Sequence, residues 1–469
     1  MSYLEKLKKE ANKTETENNA ATNKSTLNPV LDFFSQGGAM RGRMDDAATL
    51  FAKAYNDDPL LALKSLFYIR DIREGQGERD IFRKCIQEVP GEAIKKNIEH
   101  IPEFGRWDDL FVLDPDLYIG LIKKQLQEDL KALDNDESVS LLAKWMPSEN
   151  ASSEETKHLA RRLMEKLEMS PKEYRKTLSK LRKEIGILER KMSENKWEEI
   201  DYEKVPSQAL RKHTDAFRRH DEERFEEYMN DVESGDKSIN TSTLYTYEVF
   251  DTVAKDPKAA NAMWNNLPDY TRGENALVVA DVSGSMTGRP MSISVSLALY
   301  FAERNEGTFN GYFMTFSEFP QLVEVQGDNL EDKLRFIEDA DWDMNTDIEA
   351  AFRAILNAAI EDNSSQEEMP STLYIISDME FDRCAENGDM TNFENAKQMY
   401  KEAGYELPHV VFWQVDSRHN QTPAIEGDDN VTLISGASQT AFKLAVEGKT
   451  PEESMKEVLN SERYQVINL

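Results

Sequence analysis

The sequence predicts a protein of two parts, an α-helical region followed by an α/β region built on a parallel sheet. From about residue 28 to 265, apolar residues recur at three- and four-residue intervals, as they do in amphipathic helices. After about residue 270, short apolar β-rich runs alternate with helical stretches, which is the pattern of a parallel sheet with helices on both faces. A chain of 469 residues is long enough for two or more domains with full cores.

Composition narrows the class of protein. Hydrophobic residues make up 39% of the chain, as in a globular protein. No run of about 18 apolar residues is present, so we expect no membrane span and no membrane partner. The two cysteines, Cys85 and Cys384, are too few and too far apart in sequence for a disulfide framework or a thiolate zinc site. A reducing, cytoplasmic location is therefore expected.

The helical region is preceded by a polar segment. Residues 1–26 are rich in Asn, Lys and Thr and lack the apolar core of a signal peptide, so we predict a flexible tail there. Residues 27–268 follow as the helical region. In "MDDAATLFAKAYNDDPLLALKSLFYIRDI", Asp58 and Pro59 are placed to end one helix and begin the next. Short helices joined by short loops over this length predict an α-solenoid of HEAT-like pairs.

Residues 269–469 form the predicted α/β region, and its loops carry the first candidate site. The predicted strands are "ALVVAD", "GYFMTFS", "STLYIISDM", "HVVFWQV" and "NVTLIS". Ligands of such sheets bind at the carboxyl ends of the strands. Oxygen-bearing side chains stand at three of these ends, and the predicted metal ligands are Asp281, Ser283, Ser285, Thr346 and Asp378.

Two carboxylates and three hydroxyls suit a hard divalent cation, Mg²⁺ or another such as Mn²⁺ or Ca²⁺. The cation would keep an open position for an anionic group of a partner. A simpler explanation applies to each loop alone, because serine, threonine and aspartate commonly cap helices. Three such loops in order along one α/β pattern favour the metal site.

The charge distribution bears on a nucleic-acid partner. The net charge is −31, but the part after about residue 275 alone holds roughly 13 basic and 35 acidic residues. The stretch from Lys157 to His220 has roughly seven more basic than acidic residues. Within it, one predicted helix presents basic side chains at three- and four-residue spacing, namely Arg175, Lys176, Lys180, Arg182 and Lys183.

Such a face could neutralise phosphates, with Tyr174 and Trp197 offering surfaces on which bases stack. The alternative is a solvated helix with intrahelical ion pairs, because glutamates are interleaved. A second candidate is "DIREGQGERD", whose glycines permit a tight turn near Arg70, Arg73 and Arg79. These arginines either meet phosphate or pair with the neighbouring acids of a structural turn, and the sequence does not choose between the two.

The region from about residue 270 to 469 resembles the von Willebrand factor A domain with its metal-ion-dependent adhesion site. The five predicted ligands fall on all five ligand positions of that family's motif. The resemblance implies a Rossmann-like sheet flanked by helices and a bound divalent cation.

The helical region resembles the TROVE module, the helical-repeat ring of the Ro autoantigen. The motifs are "DIREGQGERDIFR", "FGRWDDL", "AKWMPS" and "YRKTLSKLRK". The closest resemblance is to a family of uncharacterised proteins in which a TROVE-like region precedes a von Willebrand A domain. The resemblance to Ro implies a monomeric ring that binds small non-coding RNAs on its outside and single-stranded ends of misfolded RNAs in its central hole. The helical half is a distant match, so no RNA-contacting residue is carried over from Ro.

The sequence therefore leaves two candidate functions. The first is a Ro-like protein that binds a small structured RNA with a single-stranded end. The alternative is a protein-interaction scaffold whose metal grips a carboxylate of a partner protein; the acidic C-terminal part repels RNA and mildly favours this role for the A domain. Enzymatic activity is not expected, because no base or nucleophile accompanies Asp281 and Asp378 in the sequence.

Overall fold

The computed structural model describes residues 3–271, 273, 275–316, 319–338, 346–384, 388–444 and 449–469. The helices before the sheet are α1 (Tyr3–Ala11), α2 (Pro29–Gln36), α3 (Met44–Asp57), α4 (Pro59–Arg70), α5 (Arg79–Cys85), α6 (Gly91–Asn97), α7 (Ile101–Phe104), α8 (Pro115–Asp134), α9 (Leu142–Trp145), α10 (Glu154–Leu167), α11 (Pro171–Glu184), α12 (Leu188–Ser193), α13 (Ser207–His220), α14 (Glu222–Ser234), α15 (Thr246–Val253) and α16 (Pro257–Asn265). The later helices are α17 (Arg289–Arg304), α18 (Leu330–Glu338), α19 (Ile348–Asp362), α20 (Asn392–Ala403) and α21 (Pro451–Leu459). The strands are β1 (Lys13–Glu15), β2 (Ala21–Asn23), β3 (Ala276–Asp281), β4 (Tyr312–Phe316), β5 (Gln321–Glu324), β6 (Thr372–Ser377), β7 (His409–Gln414) and β8 (Val431–Ser435).

The predicted helical character of the first part is confirmed. The break between α3 and α4 falls where the sequence indicates it, because the Asp58 side chain accepts the N–H of Leu61 and Pro59 occupies the first helical position. Helix lengths range from 4 to 20 residues, and the HEAT-like repeat stays a prediction. None of the described helices combines the length and apolarity needed to cross a bilayer.

Residues 3–26 form a helix and a two-stranded hairpin, where the sequence predicts a flexible tail. After α1, strands β1 and β2 form an antiparallel hairpin with Lys13 opposite Asn23. Ala20 at its tip is 1% exposed and packs among apolar side chains of the α/β part. The polar side chains of this segment form hydrogen bonds with residues far away in sequence. The Thr16 hydroxyl, for example, donates to the carbonyl of Phe381 at 2.7 Å. Composition alone does not reveal such long-range contacts.

The α/β part contains a six-stranded sheet in the order β5-β4-β3-β6-β7-β8 within the described residues. Neighbouring strands are parallel except at the β4–β5 edge. This is the 3-2-1-4-5-6 order of a doubly wound sheet, counted from β3. The five predicted strands are confirmed. The edge strand β5 was not predicted, because only Val323 among its four residues is buried and its apolar signal is weak.

Both faces of the sheet are covered. Val278 and Ala280 of β3 belong to a core shared with α17, whereas Leu277 and Val279 pack with α19 and α20 on the other face. This alternation is the two-residue period of a strand. It brings the carboxyl ends of β3 and β6 to one edge.

The hydrophobic cores cross the limit predicted near residue 268. Helices after Leu188 share their core with α17 and one face of the sheet. At the other end of the chain, Met455 and Tyr464 pack into the core of the first helices, where the Tyr464 ring lies 5.6 Å from that of Phe104. Helix α2 contacts β8 and α15 contacts α17, so both ends of the helical array meet the α/β part.

Candidate functional sites at the strand edge and in a basic cavity

The first candidate, here called the strand-edge site, lies where β3 and β6 end. These strands are adjacent and parallel, with Ala280 opposite Ile376. Asp281 is the last residue of β3, and Asp378 follows the last residue of β6. This is the point where the order of strands along the sheet reverses, which is where doubly wound sheets bind their ligands.

Asp281 is fully buried. Its Oδ1 accepts the N–H of Ser283 at 2.9 Å, and its Oδ2 accepts the hydroxyl of Ser377 at 2.5 Å. Burial, with a further contribution from the charge of Asp378, raises the pKa of Asp281 to about 7. Two polar donors therefore do not compensate for removing this carboxylate from water.

Asp378 is 1% exposed, and burial raises the pKa of this carboxyl as well. Its Oδ1 accepts the N–H of Glu380 at 3.1 Å. Its Oδ2 is buried and accepts no hydrogen bond from the described residues, and Nη1 of Arg418 lies 3.9 Å away. An orphaned carboxylate oxygen beside a second buried carboxylate is a donor set that suits a divalent cation.

The hydroxyls are connected to this pair in different ways. The hydroxyls of Ser283 and Ser285 lie 3.0 Å apart in the turn after β3. Thr346 is buried, and its hydroxyl donates to Oδ1 of Asp382 at 2.8 Å while accepting the Asn18 amide at 2.8 Å. Thr346 thus reaches the loop after β6 through Asp382.

Sequence reasoning missed several residues of this site. Asp378, Glu380 and Asp382 alternate in "SDMEFD" after β6, and this two-residue spacing is a signal that could have found the last two. Arg418 and Asn18 had no such signal, because they come from distant parts of the chain.

The second candidate, here called the basic cavity, is a space of about 890 Å³ between the helical array and the segment 438–440 after β8. Its basic lining residues are Arg41, Arg70, Arg73, Arg79, Arg106, Lys144 and Lys212. Its acidic ones are Asp80, Glu103 and Glu189, and its aromatic ones include Trp107, Trp145 and Tyr245. Ligand pockets of this size hold molecules of several hundred daltons. The excess of basic groups is local, since the whole chain has a net charge of −31.

The loop "DIREGQGERD" forms part of the cavity wall and is also a structural turn. Gly75 is required there, because a Cβ would lie 2.0 Å from the carbonyl oxygen of Tyr68. Arg70 is 2% exposed, and its guanidinium is 2.7 Å from Asp109, so its charge is neutralised in the core. Arg73 and Arg79 line the cavity with exposed side chains.

The basic face predicted on α11 does not line the basic cavity. Arg175 pairs with Glu149 at 2.8 Å, and Lys180 pairs with Asp134 at 3.0 Å. Lys176 and Lys183 are exposed.

Two side chains of α11, those of Arg182 and Tyr174, have structural roles. The Arg182 guanidinium donates to the carbonyls of Ala143 and Met146 and to the Ser148 hydroxyl, which fixes the segment after α9. Tyr174 is 1% exposed and donates to the carbonyl of Pro147, so it offers no stacking surface. The apolar face of α11 buries Tyr174, and the helical spacing alone does not reveal this.

Known proteins and family models resemble this chain over most of its length. Residues 275–467 match a family model described as "Domain of unknown function (DUF7788)", and residues 16–88 and 119–276 match one described as "Domain of unknown function (DUF2828)". "Uncharacterized protein L728" of Acanthamoeba polyphaga mimivirus is 29% identical over 487 residues, which are 92% of this chain and 84% of that protein. The crystal structure of the Deinococcus radiodurans RO (RSR) protein matches with a TM-score of 0.33 and 14% identity, covering 86% of this chain and 87% of that one. A structural similarity of that size carries no argument about fold or function.

Proposed function

We propose that the protein binds the single-stranded end of a small structured RNA in the basic cavity, without enzymatic activity. The observation that carries the proposal is the cavity itself, a space of about 890 Å³ with seven basic and three acidic lining residues. Four of the basic residues are paired with acids, namely Arg41 with Glu78, Arg70 with Asp109, Arg79 with Asp80 and Arg106 with Asp108. The sequence motifs that resemble the TROVE module agree with this function. Charge neutralisation of phosphates supplies most of the affinity of such sites.

Different lining side chains would bind the phosphates and the bases of the RNA. Arg73 and Lys212 make no ion pair, within 4.0 Å, with a carboxylate of the described residues, so their charges are available to phosphates. The guanidinium of Arg106 lies 4.3 Å from the centre of the Trp145 ring, which makes a flat cationic and aromatic surface. An unpaired base can stack on such a surface whatever its identity, so we expect little sequence preference.

A paired set of variants tests the cavity. In the full chain, Arg73→Gln with Lys212→Gln should weaken binding of a stem-loop RNA with a single-stranded extension. It should also reduce the slope of log affinity against log salt by about 0.7 for each lost contact. The control is Lys176→Gln with Lys183→Gln, which removes the same charge from the exposed face of α11.

Fluorescence anisotropy of a labelled RNA over a salt series measures both effects. The proposal is wrong if the cavity variant binds as the parent does at every salt concentration. It is also wrong if the α11 control loses as much affinity as the cavity variant.

The strand-edge site supports a second function, a cation-dependent grip on a carboxylate of a partner protein. Its support is the pair of buried carboxylates, Asp281 and Asp378, together with Oδ2 of Asp378, which accepts no hydrogen bond from the described residues. We propose that the α/β part is a von Willebrand A-type domain in which these two, with Ser283, Ser285 and Thr346, hold Mg²⁺. When bound, Mg²⁺ would supply an electrophilic position for an anionic oxygen of the partner. The five side chains would hold the cation, and the two carboxylates would neutralise part of its charge.

Calorimetric titration with Mn²⁺ tests this second function. The parent protein should bind one cation, and Asp378→Asn should weaken that binding at least tenfold, because a buried anionic ligand is lost. Asp362→Asn, an exposed change at the end of α19, should leave binding unchanged. Equal binding by all three proteins, or none by the parent, contradicts the metal site.

A further inference from the structure

The N-terminal hairpin lies across the strand-edge site. Segment 12–26, here called the hairpin cover, pairs with the α/β part at three isolated positions: Asn19 with Asp382, Ala21 with Thr391 and Asn23 with Thr422. The Asn23–Thr422 pair exchanges two backbone hydrogen bonds, at 3.1 and 2.9 Å. The cover is therefore seated on the loops that follow β6 and β7.

The tip of the cover touches a predicted cation ligand. The Asn18 amide donates to the Thr346 hydroxyl and to the carbonyl of Glu380, each at 2.8 Å. The N–H of Glu17 donates to Oε2 of Glu380 at 2.7 Å. Asn18 thus bonds the hydroxyl proposed to hold the cation, and neighbouring Glu17 bonds the loop of Asp378.

A carboxylate of the cover stands beside the same site. Oε2 of Glu17 is 2.8 Å from Nη1 of Arg418, and that same nitrogen is 3.9 Å from Oδ2 of Asp378. The Glu17 side chain is 38% exposed, so the ion pair is only partly shielded from water. Arg418 therefore links an acid of the cover to an acid of the strand-edge site.

The cover is held mainly by polar contacts. Ala20 is its only residue that belongs to a buried apolar core among the described residues. Its other contacts are hydrogen bonds, some of them buried, and partly exposed ion pairs such as that of Glu17 with Arg418 at 2.8 Å. Segments with few buried apolar contacts open locally at a small fraction of the global stability.

We propose that the hairpin cover is a cis-acting lid that opens as a unit and that any partner must displace to reach the strand-edge site. Asn18 and Glu17 at the tip indicate which ligand the covered surface accepts. They are an amide and a carboxylate side by side on an extended segment. The displacing partner is thus an acidic extended segment of a protein. This role rests on the proposed function of the strand-edge site, whereas the opening of the lid does not require a cation.

Hydrogen exchange of the full chain, read by mass spectrometry, tests the lid. Asn18→Ala removes both side-chain bonds of the tip and should speed exchange of peptides from segment 12–26 by about tenfold to a hundredfold. The N–H of Thr422, which donates to the cover, should accelerate with them, while β3 and β6 stay protected. Glu15→Gln, an exposed change on the same hairpin, is the matched control and should leave exchange as in the parent.

Three results would overturn the lid. One is unchanged exchange of segment 12–26 in Asn18→Ala. Another is acceleration of equal size in Glu15→Gln, and the third is exchange of the cover only together with β3 and β6. The measurement is made first without added cation, so a failure of the metal site leaves it valid. Repeating the measurement with Mg²⁺ should change the exchange rate of the cover in the parent. An unchanged rate would contradict the link between the lid and the strand-edge site.

Discussion

Replacing Asp281 by Asn should stabilise the cation-free protein above neutral pH. Burial and the charge of Asp378 raise the pKa of Asp281 from 3.8 to about 7. A carboxyl group whose pKa rises on folding favours the folded state fully below its unfolded pKa, and this contribution is lost as pH rises through about 7. At about 1.36 kcal/mol per pKa unit, the ionised carboxylate costs about 4 kcal/mol above that pH.

Asparagine fits the same space and avoids this cost. Its carbonyl can accept the N–H of Ser283, as Oδ1 of Asp281 does at 2.9 Å. Its amide can donate to the hydroxyl oxygen of Ser377, which now donates to Oδ2. The gain should therefore approach the full electrostatic cost rather than be cancelled by lost hydrogen bonds.

Urea unfolding in the presence of EDTA, at about pH 5.5 and about pH 8, measures the effect. Asp281→Asn should exceed the parent in stability at the higher pH, and the difference should shrink at the lower pH. Asp109→Asn is the control, because Asp109 is paired with Arg70 and Arg83 and its loss should destabilise the protein at both pH values. The reasoning is refuted if Asp281→Asn is no more stable than the parent at about pH 8, or if the difference is equal at both pH values.

Two further substitutions, at Arg182 and at Gly75, test the segment after α9 and the wall of the basic cavity. Arg182→Gln should lower the free energy of unfolding by about 2 to 4 kcal/mol, because three acceptors lose their donor. Exposed Lys183→Gln should change it by less than about 0.5 kcal/mol. Equal urea midpoints for the two variants would contradict the structural role of Arg182. Gly75→Ala should destabilise the protein, since its Cβ would lie 2.0 Å from the Tyr68 carbonyl, and Gly42→Ala, which meets nothing within 4 Å, should not. Thermal unfolding of the two glycine variants decides the second prediction.

Periodicity predicted the elements well, because each depends on a local pattern. The alternation of β-rich runs and helical stretches gave the parallel sheet, and Asp58 with Pro59 gave the start of α4. The strand-end rule also led to Asp281 and Asp378, because the carboxyl ends of adjacent parallel strands meet.

Local sequence patterns could not predict contacts between segments that are distant in sequence. Nothing local to residues 12–26 indicates that Asn18 bonds Thr346, and nothing in α11 indicates that Arg182 fixes the segment after α9. Basic side chains at helical spacing predict a charged face. Whether that face meets a phosphate or a glutamate depends on packing, and here Arg175 meets Glu149.

The central claim is that a single-stranded RNA end enters the basic cavity. Its most direct test is the affinity of the full-length protein for one stem-loop RNA made with and without a single-stranded extension, at one salt concentration. If the cavity of about 890 Å³ holds the extension, the extended RNA should bind at least tenfold more tightly, and the Arg73→Gln, Lys212→Gln variant should lose that preference. Equal affinity for the two RNAs, or a preference that survives in the variant, would contradict the claim.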